Sequence, residues 1–194
     1  MSKRILMIAG PNGAGKTTTF SRQMKTKQIY EFINADEIAQ AIAPQHPESV
    51  SLQASKLMIK RLRELLSEGK NFAFETTGAA LTYRNYLKQA QENGYLVTCV
   101  YLRLLNPEQA IDRVLQRVKQ GGHHVPSETI RSRFYSGLKN FLKEYLVIAD
   151  YAMVLDNSSE KRNEIIAIKD LKDGLQILNV DIWQEMERLT HVKK

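Results

Sequence analysis

The sequence predicts an α/β fold in which a mainly parallel sheet of five strands carries helices on both faces. Three observations support this prediction. Short apolar runs alternate with amphipathic segments, a glycine-rich loop joins the first run to a helix, and polar residues directly follow several of the runs. Strands that alternate with helices pair in parallel, and ligands bind beyond the carboxyl ends of such strands. The pattern therefore predicts a site at one edge of the sheet.

The composition is that of one globular domain without a membrane segment. The chain has 194 residues, and no apolar run is long enough to span a bilayer. It reaches its first strand after Arg4, which leaves no room for a signal peptide. The single cysteine, Cys99, lies in an apolar run and is expected in the core of a protein of the reducing cytoplasm. The net charge of +7 suits a partner with phosphates: a nucleotide, a sugar phosphate or a nucleic acid.

The first loop matches the G-x-x-x-x-G-K-[ST] pattern of a phosphate-binding loop. It lies between an apolar run at 5–9 and a helix predicted over 18–27, and it comprises Gly10, Pro11, Asn12, Gly13, Ala14, Gly15, Lys16 and Thr17. Its backbone N–H groups and the helix N-terminus attract phosphate oxygens. We expect Lys16 to reach the β- and γ-phosphates, Thr17 to offer its hydroxyl to Mg²⁺, and Thr18 to complete this side of the nucleotide site. The alternative is a simple glycine turn before a helix.

The other elements follow from hydrophobic periodicity and from Gly and Pro breaks. Strands are predicted at residues 30–33, 72–74, 95–102 and 151–155. Helices are predicted at residues 37–42, 47–69, 81–93, 108–120, from 127 onward, and 182–189. Residues 165–168 and 175–178 flank a Lys-Asp-Gly turn, which predicts a β-hairpin near the end of the chain.

Three of these strands are followed by residues that can act on a ligand. Asp36 follows the second strand, Glu75 and Thr77 follow the third, and Asn157 follows the fifth. Since the phosphate-binding loop ends the first strand, we expect these groups at one edge of the sheet. Asp36 as a helix cap and Glu75 as a surface residue are the alternatives, although a charge that abuts an apolar strand needs a partner such as a metal ion or a substrate hydroxyl.

Residues 107–145 predict a helical hairpin that carries basic side chains. Arg113 and Arg117 stand one helical turn apart on its first helix, and Arg131 lies on its second. The glycine pair Gly121-Gly122 between the helices predicts a hinge, so that the hairpin closes as a lid whose arginines face the phosphates. In the alternative interpretation the hairpin is plain solvated surface.

Together these stretches resemble the zeta toxin family of P-loop kinases, and more closely its small stand-alone bacterial members. The resemblance covers about the first 160 residues and rests on GPNGAGKTT, INADEIA, FAFETT, NPEQAIDRVLQRVKQGGHHVP and ADYAMVLDNS. It implies a P-loop kinase-like three-layer sandwich with a helical lid and a C-terminal β-hairpin. The implied domain spans residues 1–160 with its lid at about 107–145, and residues 161–194 add a hairpin and a helix to the same domain.

The resemblance also assigns roles to individual residues. It implies that Asp36 is the base that takes a proton from a substrate hydroxyl. It also implies that Glu75 and Thr77 bind the substrate and that Arg117 or Arg113 binds the phosphates. The family's usual acceptor is a UDP-linked N-acetyl amino sugar.

This chain departs from the family pattern at two places. The helix before the third strand has Met58-Ile59-Lys60-Arg61 where the family has a further acidic residue, and the second lid arginine falls near His123-His124. These histidines are expected in a loop and not as metal ligands, since adjacent histidines do not share a helix face. The kinase chemistry therefore carries over better than the substrate.

The sequence as a whole predicts an ATP-dependent kinase that acts on an alcohol group with Mg²⁺ and with Lys16, Asp36, Arg113 and Arg117 in catalysis. The expected partners are a nucleotide and a hydroxyl-bearing small molecule, with a protein antitoxin or regulator implied by the resemblance. A nucleotide-dependent binding switch and a polynucleotide or nucleoside kinase stay open as alternatives. Nucleic acid ranks lower because the chain has no arginine-rich arm and no interleaved aromatic platform.

Overall fold

A computed structural model describes residues 2–23, 31–159 and 164–192, and within these ranges the side chains of all but residues 21–23. The strands are β1 (Lys3–Ala9), β2 (Phe32–Ile33), β3 (Phe72–Thr76), β4 (Tyr95–Arg103), β5 (Tyr151–Asp156), β6 (Glu164–Asp170) and β7 (Gly174–Ile177). They form one sheet in the order β2-β3-β1-β4-β5-β6-β7. Strands β1 to β5 pair in parallel, and β6 and β7 are antiparallel.

The helices connect the parallel strands, as crossover connections require. They are α1 (Lys16–Gln23), α2 (Ala35–Ile42), α3 (Ser51–Ser67), α4 (Thr82–Glu92), α5 (Pro107–Lys119), α6 (Ser127–Asn140), α7 (Leu146–Ile148) and α8 (Val180–Leu189). A 3-10 turn at Pro47–Val50 leads into α3, and a π-helical segment at Phe141–Tyr145 joins α6 to α7. Asn106 caps α5 by accepting a hydrogen bond from the backbone N–H of Gln109, with Pro107 in the first helical turn.

The core lies on both faces of the sheet because β1 is buried on both. Its alternate residues Ile5 and Met7 pack with apolar side chains of α3, α4 and α8, whereas Leu6 and Ile8 pack with those of α5 and the first part of α6. Strands β3 and β2 lie on one side of β1, and β4 and β5 lie on the other. This change of direction opens a crevice at the carboxyl end of β1, where ligands bind in open parallel sheets.

The structure confirms the predicted kind of fold and corrects its extent. The sheet has seven strands and not five, because the C-terminal hairpin pairs with β5 and extends the same sheet. Helix α1 begins at Lys16, inside the predicted loop, and α3 begins at Ser51 after the 3-10 turn. The predicted start of strand β2 at Tyr30 and the end of the first helix at 24–27 lie outside the described residues.

One further prediction agrees with the structure. Cys99 is fully buried in β4, as its apolar neighbours indicated. No helix in the described part of the chain is long and apolar enough to cross a membrane.

Candidate functional site

The phosphate-binding loop connects β1 to α1 and fits between β4 and α5. A Cβ at Gly10 would lie 2.5 Å from the carbonyl oxygen of Leu102, so only glycine permits this approach to β4. Gly13 has a φ of +76°, and a Cβ there would lie 2.9 Å from the Cβ of Arg113. The positive φ favours glycine. The glycines of the motif are therefore required by the packing of this loop as well as by its turn.

Lys16 is buried within the loop. Only 6% of its side chain is exposed, and its Nζ donates hydrogen bonds to the carbonyl oxygens of Gly10 at 3.0 Å and Pro11 at 2.9 Å. The Nζ also lies 3.6 Å from Oε1 of Glu75. Burial lowers the pKa of Lys16, and the negative charges of Glu75 and Asp36 oppose this change. Because the effect of burial is larger, a further anionic group beside Lys16 would stabilise its charge.

Glu75, at the end of β3, contacts the phosphate-binding loop directly. Its Oε2 accepts a hydrogen bond of 2.6 Å from Oγ1 of Thr17 and one of 3.3 Å from Nδ2 of Asn34. Parallel pairing of β1 with β3 explains this proximity, since it sets Ala9 opposite Thr76 in the register. The sequence indicated only that Glu75 needed a partner. The contact with Thr17 depends on which strands are neighbours, and a sequence pattern does not give that order.

Asp36 is free for chemistry because a different residue caps its helix. Asn34 is the N-cap of α2, and its Oδ1 accepts a hydrogen bond of 2.8 Å from the backbone N–H of Asp36. The Asp36 carboxylate is 49% exposed, and its Oδ2 lies 3.7 Å from Nε2 of His123. Asn34, for which the sequence predicted no role, therefore fills the capping role that was the alternative for Asp36.

The loop between α5 and α6 reaches the site through His123 and Arg117. Nη2 of Arg117 donates to the carbonyl oxygen of His123 at 3.3 Å, and the His123 ring approaches Asp36. Nε of Arg117 is buried without a hydrogen-bond partner among the described residues. His123 and His124 lie in this loop, as predicted. Arg117 therefore lies close to the predicted base without contacting it.

The other arginines of the predicted lid point elsewhere. Nη2 of Arg113 donates to the carbonyl oxygen of Ser158 at 3.4 Å, at the far side of the phosphate-binding loop. Arg131, expected to face the phosphates, forms an ion pair with Glu108 on the adjacent helix. Arg113 and Arg117 lie one turn apart on α5, as their spacing predicted. Their side chains nevertheless reach different partners, Ser158 for Arg113 and His123 for Arg117.

Asn157 and Thr18 complete the predicted nucleotide side. Nδ2 of Asn157 donates a hydrogen bond of 2.7 Å to the carbonyl oxygen of Ala14, which ties the end of β5 to the phosphate-binding loop. Thr18 is exposed in the first turn of α1. Oδ1 of Asn12 is buried and has no hydrogen-bond partner among the described residues, so the loop presents an unused acceptor to the adjacent pocket.

The segment after β3 is fixed against α6. Gly137 lies so close to it that a Cβ on this glycine would be 2.3 Å from the carbonyl oxygen of Thr77. Nδ2 of Asn140 donates to the carbonyl oxygens of Gly78 at 3.1 Å and Ala79 at 2.8 Å. Thr77, predicted to hold the substrate, is therefore positioned by a helix from the predicted lid.

These groups surround one pocket with a volume of about 480 Å³. Of the predicted site residues it includes Asn12, Lys16, Asp36, Glu75 and Thr77. Residues without a predicted role line the rest of it, and among them are Asn34, Ser51, Ser55, Tyr83, Thr129 and Arg133. They come from α3, α4, α6 and the N-cap of α2. Because these elements are far apart in the sequence, no local motif identified the residues.

The donor atoms around Thr17 fit Mg²⁺, which the P-loop fold implies. Its hydroxyl and the Glu75 carboxylate are hard oxygen ligands that lie together beside Lys16. Among the described residues, no cluster of three His, Cys, Asp or Glu side chains could hold a metal ion. Mg²⁺ is commonly held by one or two side chains together with substrate phosphates, a role that the Thr17 hydroxyl and the Glu75 carboxylate would fit.

Solved structures share this architecture. The chain is similar to a protein in the PezAT chromosomal toxin–antitoxin system of Streptococcus pneumoniae, with a TM-score of 0.68, 16% identity and coverage of 97% of this chain and 84% of that one. A chain in the AvrRxo1-ORF1:-ORF2 complex with ATP gives a TM-score of 0.76 and 15% identity, with coverage of 99% and 65%. A putative kinase of Chloroflexus aurantiacus gives 0.54 and 15%, with coverage of 69% and 77%. Identities this low show the fold alone, which is P-loop kinase-like.

Sequence comparisons agree with the structural ones. An uncharacterized protein of Haemophilus influenzae is 29% identical over 134 residues, which cover 69% of this chain and 94% of that protein. The family model described as an AAA domain matches residues 5–158, and this stretch contains all but the first two residues of β1, the strands β2 to β5 and every residue that lines the pocket. The match extends over well more than half of the chain, which therefore belongs to this AAA domain family.

Proposed function

We propose that this protein is an ATP-dependent phosphotransferase that transfers the γ-phosphoryl group to a hydroxyl of a small molecule. One observation supports this proposal above the others. The buried Lys16 of a phosphate-binding loop lines one pocket together with two carboxylates, Glu75 and Asp36, and the Thr17 hydroxyl of the same loop donates a hydrogen bond to Glu75. A protein that only binds nucleotide needs the loop, whereas phosphoryl transfer also needs a carboxylate exposed to an acceptor.

The comparisons are consistent with this proposal. The AvrRxo1-ORF1:-ORF2 structure holds ATP, and the Chloroflexus aurantiacus protein is described as a putative kinase. Our proposal for this chain adds the two cofactors ATP and Mg²⁺. Its single cysteine is buried and fits the reducing cytoplasm that we propose as its location.

Nucleotide binding follows from the loop. Its backbone N–H groups and the N-terminus of α1 would surround the phosphates, and Lys16 would turn from the carbonyl oxygens of Gly10 and Pro11 toward the β- and γ-phosphates. Thr17 would hold Mg²⁺, with Glu75 beside it. When bound, the ion neutralises charge on the phosphate oxygens. Since Arg113 and Asn157 contact the loop region from α5 and the end of β5, they would align the nucleotide from the outer side.

The transfer step needs a base and positive charge. In our proposal Asp36 accepts the proton of the acceptor hydroxyl as the oxygen bonds to the γ-phosphorus. The bond from the γ-phosphorus to the β–γ bridging oxygen breaks, and ADP leaves with that electron pair. Lys16 and Arg117 stabilise the charge that spreads over the transferring group. The Asp36 carboxylate lies 3.7 Å from His123 and is 49% exposed, so an acceptor can approach it.

The resemblance to zeta toxins proposes a finer identity. In that case the acceptor would be a UDP-linked N-acetyl amino sugar, held by Glu75 and Thr77, and a protein antitoxin would be a partner. The PezAT protein is part of a toxin–antitoxin system, and this chain shares its fold. Residues 1–160 would then form the kinase domain, with its lid at about 107–145 and with residues 161–194 as an extension of the same sheet.

The experiment that tests the function is a screen for ADP release. Purified protein is incubated with ATP and Mg²⁺ and with sugars, nucleotide sugars, nucleosides and oligonucleotides, and phosphorylated products are identified by mass spectrometry. We expect acceptor-dependent ADP release with at least one small molecule. Phosphorylated oligonucleotides would instead favour a polynucleotide kinase, and ATP binding without any transfer would favour a binding switch.

A further inference from the structure

Arg133 is an unpaired cation in the wall of the pocket. It lines the pocket from α6, and it forms no hydrogen bond or ion pair with any side chain in residues 2–20, 31–159 or 164–192. Arg131, two residues earlier on the same helix, instead forms an ion pair with Glu108 outside the pocket. A guanidinium in a pocket that is not neutralised by the protein is available to an anionic ligand, which it binds through paired N–H groups.

The helix holds Arg133 on the acceptor side of the site. Pro126, Thr129 and Arg133 are spaced so that they share one face of α6, and all three line the pocket. One turn further on, Gly137 contacts the carbonyl oxygen of Thr77 and thereby fixes this face against the segment after β3. The helix that carries Arg133 therefore packs against the segment that is predicted to bind the substrate.

The surroundings of Arg133 also suit a negative group. Helix α6 begins at Ser127, and its N-cap residue Pro126 supplies no side-chain hydrogen bond to the first turn, while Glu128 in that turn partly offsets the positive end of the helix. The Thr129 hydroxyl lies in that turn. Of the three acidic residues in the pocket, Glu75 is engaged by Lys16 and Thr17, Glu48 lies 3.6 Å from His46, and Asp36 lies 3.7 Å from His123.

The facing wall supplies neutral hydrogen-bonding groups. Ser51 and Ser55 of α3 line the pocket one helical turn apart, and Oγ of Ser55 donates to the carbonyl oxygen of Ser51 at 2.9 Å. Tyr83 of α4 also lines the pocket and is almost fully buried. A polar ligand with hydroxyls toward α3 and an anionic end toward α6 matches this distribution of groups.

We infer that Arg133 and Thr129 form an anion-binding subsite, and that the phosphate acceptor carries a phosphate or carboxylate group in addition to the hydroxyl that reacts. This inference rests on the proposed function and deepens it by assigning the recognition of an anionic group on the acceptor to Arg133; the UDP-linked sugar named above is one member of this class. Neutral sugars and nucleosides would lack the group that Arg133 recognises.

The test uses the full chain, loaded with Mg²⁺ and a non-hydrolysable ATP analogue so that the phosphate-binding loop is already occupied. Calorimetry first measures binding of the analogue. Inorganic phosphate is then titrated, with acetate in a parallel titration, while the backbone amide signal of Thr129 is followed by ¹⁵N NMR. The variants are Arg133→Gln and, as the matched control on the same helix, Arg131→Gln.

We expect saturable shifts of the Thr129 signal with phosphate, acetate or both, and the stronger of the two identifies the kind of anion. Arg133→Gln should weaken this binding by about 10–100-fold, as expected for loss of a charge-assisted hydrogen bond, whereas Arg131→Gln should leave it unchanged. Absence of a Thr129 shift in loaded wild type, or equal binding in Arg133→Gln, would overturn the subsite alone. If the analogue itself does not bind, the proposed function fails and the subsite fails with it.

Discussion

The two sides of the pocket are built in different ways. The side that we propose binds the phosphates is one continuous stretch, Gly10 to Thr17, in which backbone geometry and a single lysine would do most of the binding. The acceptor side gathers single side chains from α2, α3, α4, α6 and the segment after β3. Binding of a phosphate chain needs only a local conformation, which a local motif can specify. Recognition of an acceptor depends on the fold, so its residues are scattered through the sequence.

Their charges differ as well. On the phosphate side Lys16 is buried and its neighbour Glu75 is held by Thr17, so the charges there are fixed before any ligand arrives. On the acceptor side Asp36 is half exposed and Arg133 has no partner among the described residues. In our proposal the fixed charges serve the nucleotide phosphates, whereas the charges on the acceptor side would help to select the second substrate.

The largest effect is expected on the phosphate side, from Lys16→Ala. Loss of this buried ammonium removes positive charge from the transferring group, and phosphoryl transfer should fall by about 10³–10⁵-fold, with weaker ATP binding. Coupled ADP release measures transfer and calorimetry measures binding. Lys139→Ala, on a later helix and not part of the pocket, is the control and should behave as wild type. Unchanged turnover in Lys16→Ala would refute the assignment of the loop.

Asp36→Asn separates the two sides most clearly. The substitution keeps the size of the side chain and leaves the Asn34 cap in place, but it removes the oxygen that takes the proton. We expect ATP affinity to stay close to that of wild type and transfer to fall by about 10²–10⁴-fold, the usual contribution of a positioned base. Binding and ADP release are measured on the same preparation, with an acceptor present.

The matched control for Asp36→Asn is Glu37→Gln, because Glu37 is the next residue of α2 and does not line the pocket. It should retain most of the transfer rate. If Asp36→Asn also retains it, Asp36 only contributes to the helix start and the base lies elsewhere, with Glu75 as the next candidate.

The same contrast explains what the sequence could predict. Periodicity and local motifs predict the order of strands and helices along the chain and the phosphate-binding loop. They also predict that Asp36 and Glu75 follow strands. The contact between Thr17 and Glu75 does not, because it depends on β3 lying beside β1 in the sheet. Arg131 and Arg133 are equally basic and two residues apart, and only the packing of α6 against α5 decides that the first pairs with Glu108 and the second lines the pocket.

Gly137→Ala should affect the acceptor side alone. The new Cβ would overlap the carbonyl oxygen of Thr77, so α6 must move away from the segment after β3. Stability should fall by about 1–3 kcal/mol, as for other overpacked sites, and kcat/KM for the acceptor by about 10–10²-fold through misplaced groups. Thermal unfolding and acceptor kinetics measure the two effects.

Ser136→Ala is the control for Gly137→Ala, since it places the same residue on the same helix and removes only the bond from Oγ of Ser136 to the carbonyl oxygen of Ser132. ATP affinity should be unchanged in both variants. A loss of ATP affinity in Gly137→Ala equal to the loss of acceptor turnover would show that the two sides are not separable.

The smallest expected effect concerns the connection between the two sides, the loop at residues 120–126. Arg117 and His123 join this loop to the mouth of the pocket near Asp36, and Gly121 has a φ of +90°, a conformation that favours glycine. If nucleotide draws Arg117 toward its phosphates, the loop should close and proteolysis within 120–126 should slow several-fold with Mg²⁺ and a non-hydrolysable ATP analogue. Proteinase K digestion followed by mass spectrometry gives the cleavage rate at each site. Lys16→Ala serves as the control, since it should bind the analogue weakly and keep the nucleotide-free rate. Equal rates with and without analogue in the wild type would show that residues 107–145 form a static surface and that the acceptor side is open at all times.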